Sequence, residues 1–235
     1  MKAIVYEHEE GIGLGLLERP LREAGFELEL RRHEILPSDV DAPMLVVLGG
    51  TMSAYDLRSH PYLHRELEVM RKRLARQRPI LGVCLGSQML AAAAGARVFA
   101  GDAGFEMGTS EVHLTDAGRK DAAFAQLPAS FDAAQWHGDT HDEVPLATLL
   151  GSSDRYRQQI FRIGDNYGIQ FHPELDGKTL ISWAEHSPNE LARANKTMDE
   201  LRSEDAPRLD RARPVIERML SALAAHYARA AAASR

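Results

Sequence analysis

The chain has 235 residues, of which 44% are hydrophobic and 26% are charged, a composition typical of a protein with one large core. Its formal net charge of -6, with acidic and basic residues interspersed, provides no basic surface, so we exclude DNA and RNA as partners. The sequence has no signal-peptide core, and no apolar run approaches the ~20 residues that span a bilayer. It contains a single cysteine, which cannot form an internal disulfide. We therefore expect a cytoplasmic protein without a membrane partner.

The first hundred residues alternate between short apolar runs and helical patterns. Four strands are predicted there, at residues 3–6, 27–30, 45–48 and 80–83. The segment 64–76 is predicted to be an amphipathic helix, because Leu67, Met70 and Leu74 recur at helical spacing. This alternation predicts an α/β fold whose central sheet is mostly parallel, with helices on both faces.

From residue 105 to about residue 170 the pattern changes to short strands separated by turns. The predicted strands in this half are 111–114, 131–136, 148–150, 160–163 and 167–171. We expect them to extend the sheet with antiparallel pairs and to bring loops to its active edge.

Beyond residue 174 the pattern becomes helical. Ser187 provides a hydroxyl cap before Pro188, and Glu190 follows three residues after the serine, which predicts a helix start with a capping box. A final helix is predicted from apolar positions that share one face, namely Val215, Met219, Leu220, Leu223 and Tyr227. We therefore expect a main domain over residues 1–185 and a C-terminal helical extension over 186–235, packed on that domain or on a partner.

The single cysteine, Cys84, lies between an apolar strand and an alanine-rich helix. Gly82 and Gly86 flank it in a Gly-x-Cys-x-Gly pattern, which is typical of a sharp turn that holds a nucleophile above a sheet. The helix that follows brings its positive end close to the sulfur. Unpaired cysteines are usually buried hydrophobic residues, but both glycines and the strand-to-helix order favour a nucleophile.

A cysteine nucleophile needs a base, and the base needs an orienting group. His172 and Glu174 follow an extended segment, where residues at positions i and i+2 point to the same side. Pro173 between them keeps this pair extended. A lone His-Pro-Glu is more often a surface turn, but beside a cysteine nucleophile it is interpreted as the base and its orienting acid.

Attack on a carboxamide also needs hydrogen-bond donors for the tetrahedral oxyanion. The backbone N–H of Leu85, directly after the cysteine, is one candidate donor. The glycine turn at Gly49 and Gly50, which follows a predicted strand, is a second source of such donors. Without the cysteine, these two glycines would be interpreted as an ordinary tight turn.

Three segments together resemble the class I, or triad, glutamine amidotransferases. They are, in chain order, LGGTMS at 48–53, GVCLGSQ at 82–88 and GIQFHPE at 168–174. The resemblance covers about residues 1–175 and is greatest to stand-alone members similar to the glutaminase domain of GMP synthase, which carry a segment like QWHGDT at 135–140. It implies a flavodoxin-like fold and an amidotransferase domain within residues 1–185.

The family resemblance implies a catalytic triad. Cys84 would attack the side-chain amide of glutamine and form a γ-glutamyl thioester, His172 would transfer the protons, and Glu174 would orient the imidazole. The other positions implied to hold the oxyanion or the substrate are Gly50, Thr51, Leu85, Gln88, Gly138 and Asp139. One departure is Ser87, where many members have histidine.

The implied small-molecule partner is glutamine or another γ-glutamyl compound, and no cofactor or metal is expected. No ATP-pyrophosphatase domain follows the resemblance in this sequence, so ammonia would pass to a separate synthetase subunit or be released. The sequence leaves the oligomeric state open.

Two alternative functions remain. The same triad could hydrolyse γ-glutamyl peptides or amides, with no partner enzyme. His137, Asp139 and His141 occupy alternate positions and would share one face of a strand, which would suit a zinc site, although Gly138 favours a turn there. A binding subunit without catalysis is disfavoured, because the cysteine, histidine and glutamate are all present.

Overall fold

The first strand, β1 (Lys2–Tyr6), shows how the central sheet is packed. In the computed structural model, which describes residues 1–233, Ala3 and Val5 belong to the core on one face, and Ile4 and Tyr6 belong to the core on the other. All four side chains are buried. Strands covered on both faces are continuously apolar, which is why this half of the sequence shows apolar runs rather than alternation.

The remaining strands complete one large sheet and one small one. In residues 1–233 they are, in chain order, β2 (Glu27–Arg31), β3 (Met44–Val47), β4 (Ile80–Val83), β5 (Val98–Ala100), β6 (Glu106–Leu114), β7 (Ser130–His137), β8 (Asp139–His141), β9 (Thr148–Ser152), β10 (Ile160–Ile163) and β11 (Asn166–Ile169). The large sheet has the order β2-β1-β3-β4-β11-β10-β9-β6-β7, and β5 pairs with β8.

The first five strands of that order are parallel and the other four pair antiparallel. The order of the parallel part corresponds to the flavodoxin-like 2-1-3-4-5 arrangement, with β11 in the fifth place. The predicted α/β fold with a mostly parallel sheet and an antiparallel extension is therefore confirmed.

Helices cover both faces of the sheet. They are α1 (Glu18–Glu23), α2 (Tyr62–Ala75), α3 (Leu85–Ala93), α4 (Gly177–Glu185), α5 (Pro188–Ala194), α6 (Met198–Glu200) and α7 (Ala206–Ala233). Helices α1 and α7 contribute to the core on one face, and α2 and α3 contribute to the core on the other. Every helix within residues 1–233 is too short or too polar to cross a membrane.

Helix α7 packs on the sheet through the face predicted from the sequence. Met219, Leu220, Leu223 and Tyr227 are buried in the same core as the strands, and Val215 packs partly buried against it. The last two residues of the predicted extension, 234 and 235, lie outside the described part of the chain. The hydroxyl of Tyr227 also donates to the Ile80 carbonyl at 2.7 Å, which ties α7 to β4.

The predicted strands of the parallel half agree with β1–β4 to within one residue. In the antiparallel half, β6 begins five residues before the predicted 111–114 strand, and the three-residue strands β5 and β8 were not predicted.

The prediction of a capping box at Ser187 was wrong. Helix α5 does begin at Pro188, but the Ser187 side chain accepts no capping hydrogen bond. The Glu190 carboxylate instead accepts from Trp136 Nε1 at 2.8 Å, because a tertiary partner lies within its reach. This contact brings α5 against the carboxyl-terminal end of β7.

Candidate active site

Cys84 occupies a strained turn between β4 and α3. Its backbone angles are φ 51° and ψ -110°, a region that non-glycine residues rarely adopt. Two backbone hydrogen bonds hold the turn: Cys84 N–H donates to the Ile169 carbonyl at 2.8 Å, and Gln88 N–H donates to the Cys84 carbonyl at 3.0 Å. The chain therefore presents the sulfur at the end of β4 and at the start of α3.

The flanking glycines are required by close backbone contacts. A Cβ added to Gly82 would lie 2.3 Å from the carbonyl oxygen of Gly86. A Cβ added to Gly86 would lie 1.9 Å from the carbonyl oxygen of Val47, on β3. Since backbone atoms cannot move aside as the tip of a side chain can, the Gly-x-Cys-x-Gly pattern has the steric basis inferred from the sequence.

His172 and Glu174 lie side by side, as their i and i+2 spacing predicted. His172 Nδ1 is 2.6 Å from Glu174 Oε1, and both side chains are buried. The backbone N–H of His172 donates to the Ala134 carbonyl at 2.8 Å, which fixes the segment against β7. The imidazole is therefore held from one side by a carboxylate.

The same ring also interacts with Cys84. Gly49 lies against both residues, because a Cβ added to Gly49 would be 3.0 Å from His172 Cε1 and 3.6 Å from Cys84 Cβ. Burial lowers the pKa of His172, but the Glu174 carboxylate and the Cys84 side chain outweigh burial and raise this pKa well above its usual value. A ring that keeps its proton can stabilise a thiolate and later protonate a leaving group.

The predicted oxyanion loop lies beside this pair. A Cβ added to Gly50 would lie 2.9 Å from Leu85 Cδ2 and 3.1 Å from His8 Cβ, so this loop packs closely on the residue after Cys84. His8 Nδ1 lies 2.9 Å from the Gly49 carbonyl oxygen. Thr51 N–H donates to Glu9 Oε1 at 3.3 Å, at the exposed rim of the loop.

The predicted substrate-contacting positions form the neighbouring wall. Gln88 Nε2 donates to the Asp139 carbonyl at 3.2 Å and to Gln170 Oε1 at 3.2 Å. The Asp139 carboxylate accepts from the Tyr55 hydroxyl at 3.3 Å. Asp139 begins β8, and Gly138 lies between β7 and β8 rather than in a long loop. Gln88 thus ties α3 to this β7–β8 connection.

These residues share one cleft of about 730 Å³. The predicted site residues that line it are Gly50, Thr51, Cys84, Leu85, Gln88, Gly138, Asp139 and His172. Glu174 does not line the cleft, because it lies behind the imidazole. The structure therefore brings together eight of the nine predicted positions at one surface and places the ninth directly behind them.

Two tryptophans border Cys84 and the imidazole of His172. The carbonyl oxygen of Trp136 is 3.8 Å from Cys84 Sγ. The Trp183 ring, from α4, meets the His172 ring edge to face with 5.4 Å between centroids, and it meets the Trp136 ring at 5.7 Å. Trp183 Nε1 donates to the Gly11 carbonyl at 3.3 Å. The aromatic pair thus forms an apolar wall beside the Cys84 sulfur and the His172 ring.

The zinc hypothesis gains no support from the positions of the two histidines. His137 Nε2 lies 3.0 Å from Glu106 Oε2, and its Nδ1 lies 3.0 Å from the Asp139 carbonyl. His141 Nδ1 lies 2.8 Å from the Asp142 carbonyl, and its ring packs on Phe161. Among residues 1–233, no group of three His, Cys, Asp or Glu side chains is arranged to hold a metal ion.

The sequence interpretation missed three cleft or loop residues: His8, Trp183 and Arg193. His8 follows β1, and the carboxyl end of a parallel strand is where α/β proteins place functional groups, so its position was a usable signal. Trp183 and Arg193 belong to α4 and α5, and no local pattern shows where these two helices will pack.

The comparisons with known proteins agree with this geometry. Residues 14–181 match the family model for glutamine amidotransferase class-I. The chain is 31% identical to the glutamine amidotransferase-like protein YfeJ of Salmonella typhimurium over 81% of this chain and 82% of that protein. It is 29% identical to a glutamine-hydrolyzing GMP synthase subunit of Natronomonas pharaonis over 74% of this chain and 89% of that relative.

Two further similarities concern a peptidase and a solved structure. The chain is 34% identical to gamma-glutamyl peptidase 5 of Arabidopsis thaliana over 51% of this chain and 47% of that protein. The crystal structure of a glutamine amidotransferase from Thermotoga maritima superposes with a TM-score of 0.85 at 29% identity and covers 97% of this chain and 98% of that one. The chain belongs to the class I glutamine amidotransferase family, whose members are cysteine hydrolases and amidotransferases.

Proposed function

We propose that this protein hydrolyses the side-chain amide of glutamine through a γ-glutamyl thioester on Cys84. The observation that carries the proposal is the meeting of a strained cysteine turn with an imidazole that Glu174 holds from behind. In this proposal Cys84, His172 and Glu174 form the triad that the sequence predicted. Each of them has a different role, and these roles recur in both halves of the reaction.

The first half of the reaction forms the thioester. The Cys84 thiolate attacks the amide carbon, a C–S bond forms, and the carbonyl oxygen becomes an oxyanion. The backbone N–H groups of Gly50 and Leu85, at the close-packed end of the cleft, donate to that oxyanion. His172 then gives its proton to the amide nitrogen, the C–N bond breaks, and ammonia leaves.

The second half releases glutamate. His172, now neutral, takes a proton from water, which attacks the thioester carbon. The C–S bond breaks, and the thiolate and the protonated imidazole are restored. Glu174 stabilises the charged ring and fixes its orientation throughout.

Four further positions are proposed to hold the substrate: Thr51, Gln88, Gly138 and Asp139. Their support is that all four line the same cleft as the sulfur. Thr51 lies at the exposed rim, whereas the other three form the wall that joins α3 to the β7–β8 connection. In this proposal a small substrate would lie between these two parts of the cleft.

The ammonia is proposed to pass to a separate acceptor enzyme or to be released. The relative from Natronomonas pharaonis is one subunit of a synthase, which supports the first outcome. Adding proteins captured from the host to a glutaminase assay would identify such an acceptor, because the glutaminase rate would rise on addition of the correct one.

A second candidate function is hydrolysis of γ-glutamyl peptides or amides by the same residues. One observation favours it: the cleft of about 730 Å³ extends past the sulfur to a wall formed by α4 and α5, which leaves space for a leaving group larger than ammonia. The similarity to a gamma-glutamyl peptidase supports the same function. Hydrolysis of a dipeptide such as γ-L-glutamylglycine at a much higher rate than glutamine would favour this second function.

We also propose that residues 1–185 form the amidotransferase domain and that the helical extension 186–235 packs on this domain, through its described residues 186–233, rather than on a partner. The burial of α7 side chains in the same core as the sheet supports this arrangement. A chain truncated after residue 185 should then expose apolar surface and aggregate.

The proposed function is tested with Cys84→Ala and a glutaminase assay. The wild-type protein is expected to release glutamate and ammonia from glutamine and to show a γ-glutamyl adduct by intact mass after rapid acid quenching. Cys84→Ala should lose both, and Ser87→Ala, at a buried side chain beside the nucleophile, is the matched control that retains both. Full activity in Cys84→Ala would refute the proposal.

A further inference from the structure

The outer wall of the cleft comes from the end of α4 and from α5. These residues follow position 181, where the match to the family model ends. Those that line the cleft are Ser182, Trp183, His186, Ser187, Glu190 and Arg193. Part of the cleft is therefore lined by side chains that lie outside the residues matched to the family.

Arg193 is the positively charged side chain of this wall that lies beside Gly138, in the β7–β8 connection. Its guanidinium carbon lies 4.6 Å from the centroid of the Phe105 ring, which orients the planar group by a cation–π contact. Its Nη2 lies 3.3 Å from the point that a Cβ on Gly138 would occupy. Stacking on a ring face leaves the N–H edge of a guanidinium available for other acceptors.

No protein carboxylate within the described residues 1–233 is paired with this guanidinium. Glu190, one turn earlier in α5, accepts from Trp136 instead. Asp139, on the facing strand, accepts from the Tyr55 hydroxyl. Arg193 thus lines the cleft without a carboxylate partner among residues 1–233.

We propose that Arg193 binds the α-carboxylate of the γ-glutamyl substrate, an inference that rests on the proposed function. An arginine fork matches a carboxylate with two parallel hydrogen bonds. Gln88 N–H donates to the Cys84 carbonyl, and Gln88 Nε2 donates to the Asp139 carbonyl, so Gln88 links the Cys84 turn to the Gly138 end of the cleft. The α-carboxylate of glutamine is roughly 5 Å from its amide carbon. In this proposal a substrate seated on Cys84 extends along Gln88, which would direct its α-carboxylate to the Gly138 end of the cleft.

The test compares Arg193→Gln with the wild-type protein on substrates that share the α-carboxylate but differ in the leaving group. The substrates are L-glutamine, γ-L-glutamylglycine and γ-L-glutamylethylamide. Arg193→Gln is expected to raise KM about 10- to 100-fold for all three, because a charged hydrogen-bonded pair is lost in each. The change in kcat should be small, since the reacting atoms are untouched.

A second measurement does not depend on turnover. Iodoacetamide labels Cys84, and a bound product analogue should protect it. L-glutamate should protect the wild-type protein and protect Arg193→Gln about 10-fold less well, whereas 4-aminobutyrate, which lacks the α-carboxylate, should protect both proteins equally. Arg202→Gln is the matched control, because Arg202 is paired with Glu185 and lies outside the cleft lining. It should behave as wild type.

Several results would overturn the inference. If Arg193→Gln raises KM only for γ-L-glutamylglycine, Arg193 binds the carboxylate of the glycine leaving group instead. Equal loss of protection by L-glutamate and 4-aminobutyrate would show a merely structural role. If the wild-type protein is active and Arg193→Gln matches it, this inference alone fails. If the wild-type protein hydrolyses none of the three substrates, the proposed function fails, and the inference fails with it.

Discussion

His8 and Glu66 form a buried ion pair that holds the predicted oxyanion loop at Gly49 and Gly50. His8 Nε2 lies 3.0 Å from Glu66 Oε2, and Nδ1 of the same ring lies 2.9 Å from the Gly49 carbonyl oxygen. A carboxylate and a carbonyl both accept hydrogen bonds, so the ring satisfies both only when both nitrogens carry hydrogen. Burial lowers the pKa of His8, but its contacts with Glu66 and Gly49 outweigh burial and raise this pKa.

Replacing His8 alone should be more damaging than replacing the pair. His8→Gln leaves Glu66 buried without its cation, so we expect the free energy of unfolding to fall by about 3 kcal/mol. The double variant His8→Gln/Glu66→Gln should recover part of that loss while keeping a lower kcat/KM, because the Gly49 carbonyl loses its charged donor. Urea denaturation and glutaminase assays measure the two effects. Equal stability of the single and double variants would contradict the pairing.

The stability contributed by this pair should depend on pH. Because the pKa of His8 is raised in the folded protein, its contribution is fully present below the unfolded pKa, about 6.5, and is lost as pH rises through the folded value. The difference in unfolding free energy between wild type and His8→Gln/Glu66→Gln should therefore shrink as pH is raised above about 6.5. A difference that grows over that range would show that the ring is neutral.

Glu174 should control the alkaline side of the activity profile. Its carboxylate raises the pKa of His172 against the opposing effect of burial, so Glu174→Gln should lower this pKa. We expect the alkaline limb of kcat/KM to move to lower pH, and kcat/KM at pH 8 to fall about 100-fold. Assays from pH 6 to pH 9 measure the limb directly. An unmoved alkaline limb would show that another group limits the rate there.

The elements that could be predicted are those whose cause is local. The buried parallel strands carry apolar runs, and the Cys84 turn carries both glycines that its contacts require. His172 and Glu174 meet because two residues apart on an extended chain already lie on one side. Each of these features follows from spacing within a few residues.

The features that could not be predicted depend on contacts between distant segments. Strand β8 has three residues and exists through its pairing with β5. Glu190 had the right position for a capping box, yet Trp136, 54 residues away, is its partner. Glu66 is 58 residues from His8, so the sequence does not show that these two residues pair, although the position of His8 after β1 was a signal for His8 itself.

Trp183 should affect turnover more than folding. Its ring contacts the His172 ring edge to face at 5.4 Å and lines the cleft, so Trp183→Ala would let water reach the imidazole and free its motion. We expect kcat to fall about 10-fold, in line with the energy of such aromatic contacts. Trp183→Phe keeps an aromatic edge and should retain most of the activity. Loss of the same size in both variants would assign the effect to the Trp183 Nε1 hydrogen bond with Gly11.

Gly86→Ala should unfold the nucleophile turn, whereas Ser87→Ala, its neighbour, should not. The added methyl of Gly86→Ala would lie 1.9 Å from the Val47 carbonyl oxygen, so β3 and α3 would have to separate, at a cost of about 3 kcal/mol in unfolding free energy. Ser87 Oγ is buried and has no hydrogen-bond partner in the described chain, so its removal should change stability by less than about 0.5 kcal/mol or increase it. Urea denaturation followed by tryptophan fluorescence measures both variants. A Gly86→Ala protein as stable as Ser87→Ala would mean that α3 can move away from β3 without cost, and the strained conformation of Cys84 would then need another support.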